Sequence, residues 1–415
     1  MSSTNLLPVG FGCINVFSNH HMFDFDKINV RRGTNCVKWD VEKEGVIPMW
    51  VADMDFQTAP CITEAVQKRA AQGIFGYTRV PDAYYEAVCG WFARRHGWNI
   101  SKDWIIYTTG VVPALSATIK ALTKPGDKVL IQTPVYNCFF SSIRNNGCVM
   151  SDNRLVIGET SGDTANEFTY HIDFEDFEVK VQEAAVFVLC NPHNPAGRVW
   201  TPEELRRMAE ICLRHNVPVI SDEIHCEIVM PGYTYSPMAS LSPEIQNNTV
   251  TFCSPSKSFN IAGLQIANIV TSREDWREAI DKAINVNEIC DVNPFGVEAL
   301  ISAYTDPQAE QWLLAMNAYV NDNYRILCDL FSSKLPWLPV TRLEGTYLAW
   351  CDCRSLGLNS KELERILVNA GVHVNAGSMY GESGDGFIRI NLACPKSLLT
   401  EGLDRIVQTL DKLRR

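Results

Sequence analysis

Four short runs of apolar, β-prone residues, each closing on a polar turn, limit most sharply what this chain can fold into. They are VLIQTP at 129–134, AAVFVLC at 184–190, VPVIS at 217–221 and NTVTFCS at 248–254. None has a polar face, so each reads as a strand covered on both sides. Amphipathic stretches such as EELRRMAEICLRHN at 203–216 lie between them and read as helices. Strand alternating with helix predicts an α/β fold with a mostly parallel sheet and helices on both faces. In such sheets ligands sit outside the carboxyl ends of the strands. Chemistry is therefore sought in the turns that follow these runs.

The turns hold a varied set of side chains. WIIYTTGVVPALSATIKAL at 104–122 reads as strand, turn and helix, so the amides after Thr108, Thr109 and Gly110 are free and sit at the positive end of a helix dipole, an anion site. Tyr136 follows the first run. NPHNPAG at 191–197 follows the second and offers the Asn194 amide. Asp222 and Glu223 follow the third. The fourth delivers TFCSPSKSFNIAGLQ at 251–265, where a single lysine, Lys257, stands among Ser254, Ser256 and Ser258 with Gly263 close behind. A lysine amine can form a Schiff base with an aldehyde, and hydroxyls can bind a phosphate. Pyridoxal 5′-phosphate (PLP) carries both groups.

Each residue also has an ordinary reading: a surface lysine, a capping aspartate, a turn asparagine, a core tyrosine. Collected at successive strand ends, they match what bound PLP requires. Lys257 meets the aldehyde, and Asp222 keeps the ring nitrogen protonated. Tyr136 stacks on the ring, and Asn194 donates to the phenolic oxygen. The phosphate takes Gly110, Val111 and Val112 with Ser254 and Ser256.

With 415 residues the chain has room for two domains. Residues 1–50 are polar and mixed with no clear helix or strand, and read as an arm or part of a small domain. Residues 51–290 read as a large PLP-binding domain, with a hairpin or insertion near 150–170. Residues 291–415 read as a smaller α+β domain with strand-like pieces at 346–352 and 386–392. Asp55 reads as the cap of the helix PCITEAVQKRAAQ, and Tyr77, in a loop between Gly76 and Pro81, as a packing residue. A net charge of −11 disfavours nucleic acid as the main partner. No run reaches the ~20 apolar residues of a membrane span, and the N-terminal residues lack a signal-peptide pattern. Fifteen scattered cysteines without a CxxC pair point to free thiols in a reducing cytoplasm. Cys351 and Cys353 read as core, His20 and His21 as surface, and no metal site is expected.

The ordered set GVVP, TPVY, NPHNPAG, SDEIH, SPSK and a late arginine in GFIRIN resembles the fold-type I PLP enzymes of the aminotransferase class I/II superfamily. RRGTNCVKWD, WVADMDF, GIFGYTR, NPHNPAGRVWT, PSKSFNIAGLQ and RINLACPKS resemble its cystathionine β-lyase-like branch, the bacterial carbon–sulfur lyases, over roughly residues 22–412. The resemblance implies that Lys257 is both the Schiff-base lysine and the base that moves the α-proton. It implies the PLP contacts given above for Asp222, Asn194, Tyr136, Gly110, Val111, Val112, Ser254 and Ser256. It makes Arg389 the grip on the substrate α-carboxylate. Tyr77 becomes the residue that reaches the cofactor of a neighbouring subunit, so a homodimer with shared sites is implied. Two positions depart from the aminotransferase pattern: His225 stands where a tyrosine is usual and Gln265 where an arginine is usual. The implied reaction is α,β-elimination of L-cystathionine, or of L-cysteine, to a thiol, pyruvate and ammonia. The alternatives are an aminotransferase using the same machinery and a PLP-holding regulator that acts through protein contacts.

Overall fold

The computed structural model describes residues 23–159, 166–288 and 291–414. The strands are β1 (Ile47–Pro48), β2 (Ile105–Thr108), β3 (Lys128–Ile131), β4 (Val149–Asp152), β5 (Val156–Glu159), β6 (Glu167–His171), β7 (Val186–Cys190), β8 (Val219–Asp222), β9 (Thr249–Cys253), β10 (Ala267–Val270), β11 (Val340–Thr341), β12 (Leu348–Asp352), β13 (Val372–His373), β14 (Asn375–Ala376) and β15 (Phe387–Asn391). The helices are α1 (Val37–Asp40), α2 (Pro60–Ala70), α3 (Asp82–His96), α4 (Val111–Leu122), α5 (Cys138–Asn145), α6 (Phe174–Val181), α7 (Pro202–Arg214), α8 (Pro243–Asn247), α9 (Pro255–Ser258), α10 (Glu274–Asn285), α11 (Pro294–Thr305), α12 (Pro307–Lys334), α13 (Ser360–Asn369) and α14 (Lys396–Arg414).

The four apolar runs become β3, β7, β8 and β9, neighbours in a seven-stranded sheet of order β2-β10-β9-β8-β7-β3-β4. Only β10 runs antiparallel to its neighbours β2 and β9. Alternation along each strand divides the core. Leu130, Phe187, Leu189 and Val219 face α6 and α7. Val129, Ile131, Val186, Val188 and Ile220 face α4, α5 and α10. The absence of a polar face in the runs thus follows from helices on both sides. The start of α7 is chemically marked: Thr201 accepts from Glu204 N and the Glu204 carboxylate returns to Thr201 N, a capping box, with Pro202 in the first turn.

A second sheet, of order β14-β15-β12-β11-β6-β5, stands across from the first. Its β5–β6 hairpin comes from the 150–170 stretch, while β4 just before it is an edge strand of the large sheet. β6 joins β11 in parallel, so strands from within residues 51–290 complete a sheet otherwise built after residue 339. Two local expectations are corrected. The stretch before residue 50 contains α1, and β1 in parallel with β13. A strand of two residues carries no periodicity and exists only through its partner. Asp55 does not cap α2, whose N-cap is Ala59 without a side-chain bond. Its carboxylate instead binds buried Lys38 at 2.7 Å and Arg31 at 2.7 Å, with Trp39 Nε1 donating at 2.8 Å. A buried carboxylate takes cations over a helix terminus four residues away because its desolvation must be offset by charge. His20 and His21 lie outside the described residues.

Candidate active site

A cavity of about 370 Å³ opens where the carboxyl ends of the large sheet meet the second sheet. β2 feeds Thr109 into α4, whose start brings Gly110, Val111 and Val112 to the wall. Tyr136 follows β3, Asn194 follows β7, Asp222 ends β8 with His225 three residues on, and β9 leads into α9 with Ser256 and Lys257. From the opposite side come Trp50, Asn375, Met379, Tyr380 and, on β15, Arg389. Parallel strands with successive crossover helices bring their ends to one edge, so residues 110 to 389 of the sequence meet in one space.

Burial dominates the electrostatics. It pushes the Asp222 carboxyl up to about 7, against the pull of Ile224 N, which donates at 3.2 Å, and of Lys257. It pushes His225 down to about 3, helped by the charges of Lys257 and Arg389, so the imidazole is neutral. It lowers the Lys257 amine below the ordinary lysine value, partly countered by Asp53. Lys257 Nζ donates to Ala52 O at 2.6 Å. Arg389 donates through Nη1 to Asn194 Oδ1 at 3.1 Å and through Nη2 to Trp50 O at 2.7 Å, with its guanidinium 5.1 Å from the centre of the Tyr380 ring.

These residues fit PLP. The His225 Nδ1 and Arg389 Nε atoms are buried without a protein partner, as expected of groups that complete their bonding on a ligand. The first turn of α4 offers amides for a phosphate. Burial disfavours the Asp222 anion, and a protonated ring nitrogen beside it would stabilise that anion. Gln265, in a left-handed conformation at φ 53°, lines the same wall without a charge.

Two expected residues lie elsewhere. Ser254 does not line the cavity. It caps α9, accepting from Ser256 N at 3.0 Å and donating to Ile266 O at 2.6 Å, so its hydroxyl orients the lysine turn. Tyr77 is 98 % exposed, away from this chain's cavity, beside the exposed Ile74 and Phe75.

The aminotransferase class I and II family model matches residues 44–406. The chain belongs to this family. Among class I and II relatives, it is 40 % identical to cystathionine beta-lyase PatB of Bacillus subtilis, over 93 % of this chain and 100 % of that protein. It is 32 % identical to protein MalY of Escherichia coli, over 95 % of this chain and all of that one. Cystalysin from Treponema denticola, solved with pyridoxal 5′-phosphate, superposes with a TM-score of 0.89 at 35 % identity, covering 94 % of this chain and 99 % of that one. A PLP-bound aminotransferase candidate from Clostridium difficile 630 gives the same TM-score at 42 % identity, covering 94 % of this chain and all of that one.

The sequence reading missed Trp50, Val51 and Ala52 as part of the wall, at the head of the segment Trp50–Asp55. It is irregular backbone whose carbonyls are each bound from another element. Arg389 and Asn375 hold Trp50 O, Asn391 holds Val51 O and Asp53 O, and Asn260 holds Met54 O. The signal was present in WVADMDF, an apolar run interrupted by two acids. Asn375, Met379 and Tyr380 carried none, because they sit in short extended and 3-10 turns without a period.

Proposed function

We propose that this class I and II family member is a PLP-dependent carbon–sulfur β-lyase acting on L-cysteine thioethers, L-cystathionine among them. The observation that carries the reading is the convergence of Lys257, Asp222, Asn194 and Arg389 on one cavity. The cystathionine beta-lyase named among the relatives supports it.

Bound PLP supplies an aldehyde that captures the substrate amine and a ring that accepts the electron pair left when the α-proton departs. The chain's residues do the rest. Arg389 would hold the substrate α-carboxylate through its guanidinium. Lys257 Nζ removes the α-proton, its lowered pKa keeping more of it in the neutral form that can act as a base. Asp222 holds a proton on the ring nitrogen. Tyr136, which lines the cavity, would stack on the ring and keep water from it. The amides of Val111 and Val112, with Ser256, bind the phosphate. The sulfur would leave the β-carbon with the C–S electron pair and take up the proton that Lys257 removed, and the Lys257 amine would displace the enamine product, which water hydrolyses to pyruvate and ammonia.

The test is pyruvate and thiol release from L-cystathionine. It should be lost in Lys257→Ala while the protein stays folded; release at the wild-type rate would end the assignment. Transamination is the second reading, favoured by the C. difficile neighbour. It predicts accumulation of the cofactor's stable amine form on adding an amino donor, with no thiol released. We further propose a homodimer in which Tyr77 reaches the partner's site, supported by its full exposure next to apolar side chains, and a reducing cytoplasmic setting, supported by free thiols at every described cysteine.

A further inference from the structure

We propose that Tyr347 is a positioning residue for Lys257 and acts through the carbonyl of Ala52. The proposal rests on the reading of Lys257 as the base.

The Ala52 oxygen accepts two hydrogen bonds, from Lys257 Nζ at 2.6 Å and from the Tyr347 hydroxyl at 2.9 Å. A carbonyl has two lone pairs, so these donors complete it. Tyr347 is fully buried, and its ring lies edge-on to His225, 6.1 Å between centres. It stands behind the cavity wall and does not reach the space where a substrate would sit.

Among the described residues, the Ala52 carbonyl is held by these two side chains, whereas its neighbours are anchored independently. Trp50 O is bound by Arg389 and Asn375, Val51 O and Asp53 O by Asn391, and Met54 O by Asn260 and Arg31. The peptide that receives the lysine is therefore fixed at both ends, and Tyr347 sets how its oxygen points. The backbone before Tyr347 bears this out in its geometry. Thr346 has φ 70°, a left-handed conformation that a β-branched residue rarely adopts. It is held there by Thr346 N donating to Ile228 O at 2.8 Å and by Gly345, where a Cβ would come within 2.8 Å of Val199. Strain of this kind persists only where the surroundings enforce it, and here it delivers the tyrosine to Ala52.

A neutral amine has two hydrogens and one lone pair. When one hydrogen is committed to a fixed carbonyl, the lone pair is confined to a cone, and proton removal from the substrate needs it aimed at the α-carbon. With the hydroxyl gone, the carbonyl is free to tilt and the amine with it.

Tyr347→Phe removes the hydroxyl and keeps the ring. The expected result is a kcat for pyruvate release lowered on the order of tenfold, as small losses of alignment do, with KM changed less than twofold. The isotope effect on kcat with α-deuterated substrate should rise above the wild-type value. Cofactor-free Tyr347→Phe should also form its bond to added pyridoxal 5′-phosphate several-fold more slowly, reaching the wild-type final absorbance. Unchanged kcat and isotope effect would overturn the proposal. So would a loss of activity that follows a loss of cofactor absorbance, since that is a structural role. Failure of the underlying reading is seen separately: exchange of the substrate α-proton with deuterated solvent would persist in Lys257→Ala.

Discussion

Burial raises the Asp222 carboxyl to about 7 in the cofactor-free protein, against an ordinary value of 3.8 in the unfolded chain. Between these values the folded state keeps a proton that the unfolded state has released, so this group lowers stability as pH rises from about 4 to 7. Asp222→Asn removes the effect. The difference in Tm between cofactor-free Asp222→Asn and wild type should grow across that range, by the equivalent of a few kcal/mol (about 1.4 per pKa unit). PLP should narrow the gap by supplying a cation that stabilises the wild-type carboxylate. A difference independent of pH would contradict the burial argument. Arg389 makes a second residue-scale case. Arg389→Lys keeps the charge and loses the two-pronged fork, so kcat/KM should fall by about ten- to a hundredfold, from the worth of a charge-assisted hydrogen bond, with cofactor absorbance retained.

At the scale of elements, the irregular segment from Trp50 to Asp55 depends on an ion-pair cluster. Lys38, fully buried, lies 2.7 Å from Asp55 and 3.4 Å from Asp53, and Arg31 reaches both acids. Burial opposes the Lys38 ammonium, but Asp55 and Asp53 more than offset it and hold its pKa above the ordinary value. Lys38→Met leaves Asp55 buried with one cation fewer and should cost about 3 kcal/mol in denaturant unfolding. Because Ala52 belongs to the same segment, activity should fall in the folded fraction as well. The contrast is α7, whose capping-box residues Thr201 and Glu204 do not line the cavity. Thr201→Ala should cost about 1 kcal/mol and leave kcat unchanged.

At the scale of the molecule, the proposed shared sites make a complementation test. On that proposal, Lys257→Ala and Tyr77→Phe chains should each be impaired when paired with themselves. In a mixed dimer both changes fall in one site, and the other site is wild type. Unfolding and refolding the two together should restore activity above that of either alone. No recovery in dimers verified by sedimentation would show that Tyr77 serves its own chain.

Much of this was legible in the chain itself. Four apolar runs with no polar face determined strands covered on both sides, and Thr201-Pro-Glu-Glu determined where α7 begins, because both depend on neighbours in sequence. The turns after those runs placed Tyr136, Asn194, Asp222 and Lys257 at one sheet edge, since parallel strands share the direction in which they end. Other features were decided only by tertiary structure. Asp55 looked like a cap and became the anion of Lys38, a contact across 17 residues that no local pattern encodes. Ser254, expected at the phosphate, also caps the lysine's own helix, a bond that the run of serines alone does not reveal. The wall formed by Trp50, Asn375 and Tyr380 arises where irregular segments meet, and irregular segments have no period to read. The strand β1 exists through β13, far away in the chain, and the β5–β6 hairpin, legible in the sequence, joins its sheet only where β6 meets the distant β11. Sequence determined what repeats at short range, and the folded chain decided which isolated carbonyls, amides and charges meet, because their desolvation is offset only by partners that folding brings.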